Sequence, residues 1–293
     1  MKIKIGVTLL LLVCSAQTIY SFDKNRYLSI EKAATNPAVV VKFNSKGGHQ
    51  GYCMEMAIEN TGYDTCFAWV EAGRRLISDE EKQQDIFIVK SQYVMVEPRT
   101  KLLFSLFGFC CQSHDASPHA GTVFKMGYIE NKDWQSLANT INTNNFDMGA
   151  IQHAVWAVSN NHPVSSIDKG KDDKNILLLQ TVAGIKHIEL PWYNIGYKKS
   201  TNRLFSNVPS RIYSEINYNL PYNGEVSIVV RDRYGIVQST LLEDVPKDQG
   251  KNKYYFDLDI GGWKDGNYTV EVVLDDNKII EKKKFEINTQ LSE

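Results

Sequence analysis

The chain is short of the features that usually disclose a function. Lysine plus arginine (33) nearly cancels aspartate plus glutamate (34) over 293 residues. No basic stripe is interleaved with aromatic residues, so the electrostatic footprint of a nucleic-acid binder is missing and nucleic acid is not an expected partner. There is no Gly-x-Ser-x-Gly, His-Glu-x-x-His, phosphate-cradling glycine loop or calcium-loop pattern, and no cofactor is expected. Paired acids such as Glu80-Glu81, Asp172-Asp173 and Asp275-Asp276 sit in hydrophilic or turn-like contexts, where they read as solvated surface. Past the N-terminus no apolar run is long enough to cross a membrane, because residues 102–111 and 176–179 are short and flanked by charge.

At the N-terminus, Lys2 and Lys4 precede a short apolar stretch over residues 7–13 and small residues around Cys14-Ser15-Ala16. This is the pattern of a secretory signal peptide, expected over residues 1–21, with cleavage after Ala16 or Ser21. Cys14 lacks the small preceding residue that a lipid-modified cysteine prefers. Export is therefore expected, to the periplasm, the cell surface or the medium. Cys53, Cys66, Cys110 and Cys111 remain after processing, in a compartment that permits oxidation.

From residue 39 to about 126, short β-rich segments alternate with the breakers Lys46-Gly47-Gly48, Asn60-Thr61-Gly62 and Glu97-Pro98-Arg99, the rhythm of a β-sandwich. Trp134, Leu137, Ala138 and Ile141 then fall at i, i+3, i+4 and i+7, one face of a short helix. A second helix is predicted to begin at Asp147 as N-cap, with Met148, Ile151, Val155 and Val158 on one face. A third, apolar on most sides, is predicted over residues 173–183, stopping at Gly184. Beyond Trp192 six or seven strands return, with Asn223-Gly224, Tyr234-Gly235 and Asp265-Gly266 as turns. The expected fold is mainly β: an N-terminal β-sandwich with a helical segment of two to three short helices (residues 22–197), then a C-terminal β-sandwich (residues 203–288).

Asn223-Gly224-Glu225-Val226-Ser227-Ile228, Arg231-Asp232-Arg233-Tyr234-Gly235-Ile236-Val237, Asp265-Gly266-Asn267-Tyr268-Thr269-Val270 and Lys283-Lys284-Phe285-Glu286-Ile287 together resemble the immunoglobulin-like module of flagellar hook-capping proteins. Similar modules end many secreted Bacteroidetes proteins. The resemblance implies an immunoglobulin-like C-terminal unit serving as a spacer, dock or sorting element.

Several candidate sites stand out. Cys110 and Cys111 are adjacent in a predicted strand, so their side chains are expected on opposite faces, at most one of them in a core. A hairpin around Gly62 would place Cys66 near Ile58 and away from Cys53, so bridges from Cys53 and Cys66 to the Cys110-Cys111 pair are the expected disulfides. The alternatives are inert thiols or a reactive thiol at Cys111, close in sequence to His114. His114, His119, Asp115 and His153 offer metal-ligand chemistry at a spacing that matches no standard zinc site, so no metal is expected.

Gln152 lies in Ile151-Gln152-His153-Ala154-Val155-Trp156, which is similar to the Thr-Gln-x-Ala-Ile-Trp helix motif of bacterial surface thioester domains, with Ile151 in place of the threonine. That resemblance implies a cysteine joined to the Gln152 side chain, and Cys53 or Cys111 are the candidates. A glutamine satisfying buried polar groups beside Trp156 is the other explanation. The expectation is an exported, non-catalytic binding or adhesion protein for a protein or glycan ligand. A covalent thioester adhesin and a hydrolase using Cys111 with His114 or His153 are the alternatives.

Overall fold

The computed structural model describes residues 23–199 and 205–289; the segment expected to be a signal peptide and part of the linker expected near residues 198–202 lie outside the described residues. The protein is mainly β, with short helices gathered between two β regions, as the pattern of turns and periodicities predicts.

In the first region, β2 (Val39–Ser45), β3 (Gln50–Asn60), β5 (Arg74–Ser78), β6 (Ile86–Ile88), β8 (Thr100–Cys110) and β9 (Val123–Ile129) pair in the order β2-β3-β8-β6-β5-β9 and close into a barrel. β1 (Leu28–Ser29), β4 (Cys66–Val70) and β7 (Gln92–Val96) form a separate three-stranded sheet preceded by the short helix α1 (Ile30–Ala33). Ala68, Val70, Val94 and Val96 from this sheet share one core with Met54, Met56, Ile58, Leu76, Ile86, Ile88 and Leu106 of the barrel. The sandwich-like layering thus holds, with one layer closed on itself, which leaves the barrel without free edges. The close approach of β6 and β8 depends on Gly108, where a Cβ would lie 2.4 Å from Ile86 Cγ2.

The Gly62 hairpin does not form. β3 pairs with β2 and β8, whereas β4 belongs to the other sheet and sets Cys66 opposite Val96.

Leu102 and Leu103 at the start of β8 are exposed, whereas β6 and the end of β8 from Leu106 to Cys110 are largely buried on both faces, which explains their nearly continuous apolar character. Their inner side chains fill the barrel, while Phe87, Phe109 and the neighbouring Val89 and Cys111 pack outward against α2 (Lys132–Thr143), α3 (Met148–Ser159) and α4 (Ile176–Ile185). Burial of each large side chain there is worth ~1.5–3 kcal/mol.

The predicted face Trp134, Leu137, Ala138 and Ile141 is the buried face of α2, whose N-terminus is capped by Asn131 Oδ1 accepting from Asp133 N and Trp134 N. At its other end Lys90 Nζ donates to the carbonyls of Ile141, Asn142 and Asn144, a cation set against the negative end of the helix dipole. α4 starts three residues later than expected because Asp172 and Asp173 adopt φ of 52° and 57°, and it runs through Gly184 to Ile185.

In the second region, β10 (Asn194–Tyr197), β11 (Pro209–Leu220) and β14 (Gly250–Asp259) make one sheet. β13 (Val237–Lys247), β12 (Gly224–Arg231), β15 (Gly266–Leu274) and β16 (Lys278–Ile287) make the other. Tyr268, Val270, Val272 and Leu274 alternate into the core between them, as the period-two pattern predicts.

β10 lies before the expected linker, yet it hydrogen-bonds to β11. It also ties the two regions together: Asn194 Nδ2 donates to the carbonyls of Ser165 (3.1 Å) and Ile167 (2.6 Å), and Trp192 Nε1 donates to Lys284 O (2.5 Å).

Candidate functional site

Gln152 is set by α3, whose Ile151, Ala154 and Val155 bury against the barrel's outer face. Asp147 is the N-cap residue, as expected, but its carboxylate makes no cap hydrogen bond. It pairs with Lys174 and accepts from Asn175 Nδ2 at 3.1 Å, and both contacts hold its carboxyl below the usual range. Asn175, fully buried, also donates to Asp168 O and accepts from Asp147 N, knotting the start of α3 to the loop before α4. Gly170 in that loop has φ +75°, and a Cβ there would meet Asn175 Nδ2 at 2.7 Å.

The Gln152 amide is buried. Its Nε2 donates to Cys110 O at 2.9 Å, while Oε1 has no hydrogen-bond partner. Cys53 ends on the same strand: its thiol donates to Gly108 O at 3.5 Å. The carbonyls of residues i and i+2 in a strand point the same way. Those of Gly108 and Cys110 face β3, since Cys110 N donates to His49 O and Gly108 lies opposite Gly51. β3 bulges away between Gly51 and Met54, and the Cys53 thiol and the Gln152 amide occupy the two carbonyls near this gap. Burial pushes the Cys53 thiol up to about 12. Tyr52, one residue away, is 61% exposed.

The other predicted residues are placed differently. Among the described residues Cys53, Cys66, Cys110 and Cys111 are all free, so the expected disulfides are not seen. Cys53 and Cys110 lie within the barrel core and Cys66 at its margin, whereas Cys111 belongs to the core under the helices. Cys110 and Cys111 do face opposite ways, but both are buried because the helices cover the outer face. Burial raises both of their pKa values, the reverse of what a nucleophilic thiolate requires. His114 and His119 are exposed, and among the described residues no group of histidine, cysteine and acid side chains is arranged to hold a metal.

His153 and Trp156 lie on the next face of α3, in a cleft of about 450 Å³ between that helix and the C-terminal sheet. Ala150, Ile195, Tyr197, Phe205 and Tyr213 contribute to the same wall, and Asp147, Asp168, Lys198 and Lys199 supply two negative and two positive charges. Phe205 is the hub of an aromatic cluster, with ring centroids 4.1 Å from His162, 4.8 Å from Tyr197 and 5.7 Å from Trp156. Tyr213 lies near the Asp168 carboxylate, and burial together with that negative charge pushes its phenol pKa up. His153 Nδ1, Trp156 Nε1 and Tyr197 Oη are buried without partners. Burial lowers His153 to about 4 and His162 to about 3, so both imidazoles are neutral near pH 7.

Sequence reasoning missed Asp168, Tyr197 and Tyr213, which come together only when β10 and β11 pack beside α3. It also missed the buried pair Ser113 Oγ···His162 Nε2 at 2.9 Å. That pair lacks the carboxylate of a catalytic triad, since His162 Nδ1 has no partner.

No family model matches the chain, and no curated protein matches it in sequence. Among solved structures, the CBM51-2 and INT domains of Clostridium perfringens ZmpB in complex with GlcNAc align at 11% identity, covering 84% of this chain and 77% of that one, with a TM-score of 0.18. A β-glucosidase from Kluyveromyces marxianus in complex with glucose aligns at 12% identity, covering 87% of this chain and 51% of that one, with a TM-score of 0.19. Superpositions at this level do not define a shared fold.

Proposed function

We propose that this chain is an exported attachment protein that binds its target covalently through an internal thioester between Cys53 and Gln152. The carrying observation is the placement of the Cys53 thiol and the Gln152 amide on the carbonyls of Gly108 and Cys110, where β3 bulges away. Cys53 rather than Cys111 is the partner, because Cys111 packs with the outer core and its surroundings are Arg75, Asp85 and Glu130.

In forming the bond, Cys53 Sγ attacks Gln152 Cδ. A sulfur–carbon bond forms, the carbon–nitrogen bond breaks, and the thiol proton leaves on nitrogen as ammonia. A target amine then attacks the thioester carbonyl, giving an amide and regenerating the thiol, with no oxidant or reductant required. The burial that keeps the thiol protonated also keeps water from the thioester carbonyl. The C-terminal sandwich, residues 203–288 with β10 added to its sheet, serves in this reading as an immunoglobulin-like spacer or dock, and the N-terminal segment directs export.

Mass spectrometry of the freshly purified chain tests the bond. Expected is a mass lower than the sequence mass by one ammonia, a cross-linked peptide pair containing Cys53 and Gln152, and a methylamine adduct at Gln152. Cys53→Ala should abolish all three. Full sequence mass with no adduct overturns the covalent reading.

A further inference from the structure

The cleft between α3 and the C-terminal sheet lies outside the thioester chemistry, and its chemistry selects a ligand class. Two acidic and two basic side chains line it, so no net charge favours an ionic ligand. Three polar atoms in its lining residues lack partners: His153 Nδ1, Trp156 Nε1 and Tyr197 Oη. Trp156 Nε1 can only donate, Tyr197 Oη can do either, and His153 Nδ1 does one or the other according to tautomer. A cation would leave the indole N–H unused, and an anion would face the Asp168 carboxylate. Hydroxyl groups, which donate and accept, match this mixed lining of donors and acceptors better than either ion. The exposed Asp168 carboxylate, in the same lining as Tyr213, adds an acceptor for further hydroxyls, while the Trp156 and Phe205 rings offer apolar surface for a ring's C–H face. The cavity of about 450 Å³ falls in the ~300–1,000 Å³ range of small-molecule sites.

We propose that this cleft is a non-covalent binding site for a neutral saccharide, with Asp168 and Tyr213 at its mouth and Trp156 in its wall. The site does not depend on Cys53, so it stands or falls separately from the thioester.

The test applies the full chain to an immobilised array of neutral, N-acetylated, sialylated and sulfated oligosaccharides. Expected is reversible binding to neutral glycans that Cys53→Ala leaves unchanged. Asp168→Asn and Tyr213→Phe should each weaken it about tenfold, the size of one good hydrogen bond. Asp168 is exposed, so its variant should fold, and an unchanged melting temperature confirms this for both. Absence of binding to every glycan, binding confined to sialylated or sulfated ones, or neutral-glycan binding unaffected by both variants overturns the proposal.

Discussion

Replacing Gln152 by glutamate keeps the side chain's shape and changes only what its end can donate. In the structure Nε2 donates to Cys110 O at 2.9 Å and Oε1 receives nothing. An ionised carboxyl would set a negative oxygen against a backbone carbonyl with no donor at hand, in a buried site. The introduced group should therefore remain protonated, its O–H donating to Cys110 O, with a pKa raised by up to ~3–5 units above the ordinary ~4.3.

A folded-state pKa above the unfolded one means that the folded state holds the extra proton, so stability falls as pH rises between the two values. The slope is ~1.4 kcal/mol per pH unit. Gln152→Glu should match its parent near pH 4 and be ~4–5 kcal/mol less stable by pH 8, a large part of the ~5–15 kcal/mol available to an ordinary domain. The comparison belongs in a Cys53→Ala background, where the parental amide persists. Urea denaturation followed by tryptophan fluorescence from pH 4 to 8 measures it. Parallel stability curves would refute the reasoning, because the carboxylate would then have found a donor that the structure does not show.

His153 and His162, lowered by burial to about 4 and about 3 from an ordinary 6.5, give a pH dependence of the other sign. Their contribution is present above about pH 6.5 and lost as pH falls. Each should remove ~1.4 kcal/mol per unit through its interval, and His153→Gln with His162→Gln should flatten the acid limb of the urea midpoint. Arg74, fully buried, donates to both oxygens of Glu71 (2.8 and 3.0 Å) and to Gly127 O. Arg74→Met should cost ~3–5 kcal/mol because Glu71 is left unpaired, and adding Glu71→Leu should recover most of it in thermal denaturation.

Short-range chemistry made much of the fold legible in the chain itself. The face of α2 follows from a helical period, the Tyr268 to Leu274 alternation from a sheet with one buried side, and the opposed side chains of Cys110 and Cys111 from a pleat. These depend only on local geometry. The failures have one cause, that local pattern does not name the partner strand. Gly62 reads as a hairpin turn, but β3 and β4 enter different sheets, so the expected cysteine geometry dissolved.

The closing of six strands into a barrel and the burial of Cys111 beneath the helices were likewise decided by long-range packing. So was the meeting of α3 with β10 and β11, which builds the cleft from Asp147, Asp168, Tyr197 and Tyr213. Gln152 shows both contributions. Its motif drew attention to the residue, and the folded chain set its amide on the Cys110 carbonyl, two residues along β8 from the Gly108 carbonyl that the Cys53 thiol takes. A sequence determines which side chains share a face; only the folded chain determines which faces meet.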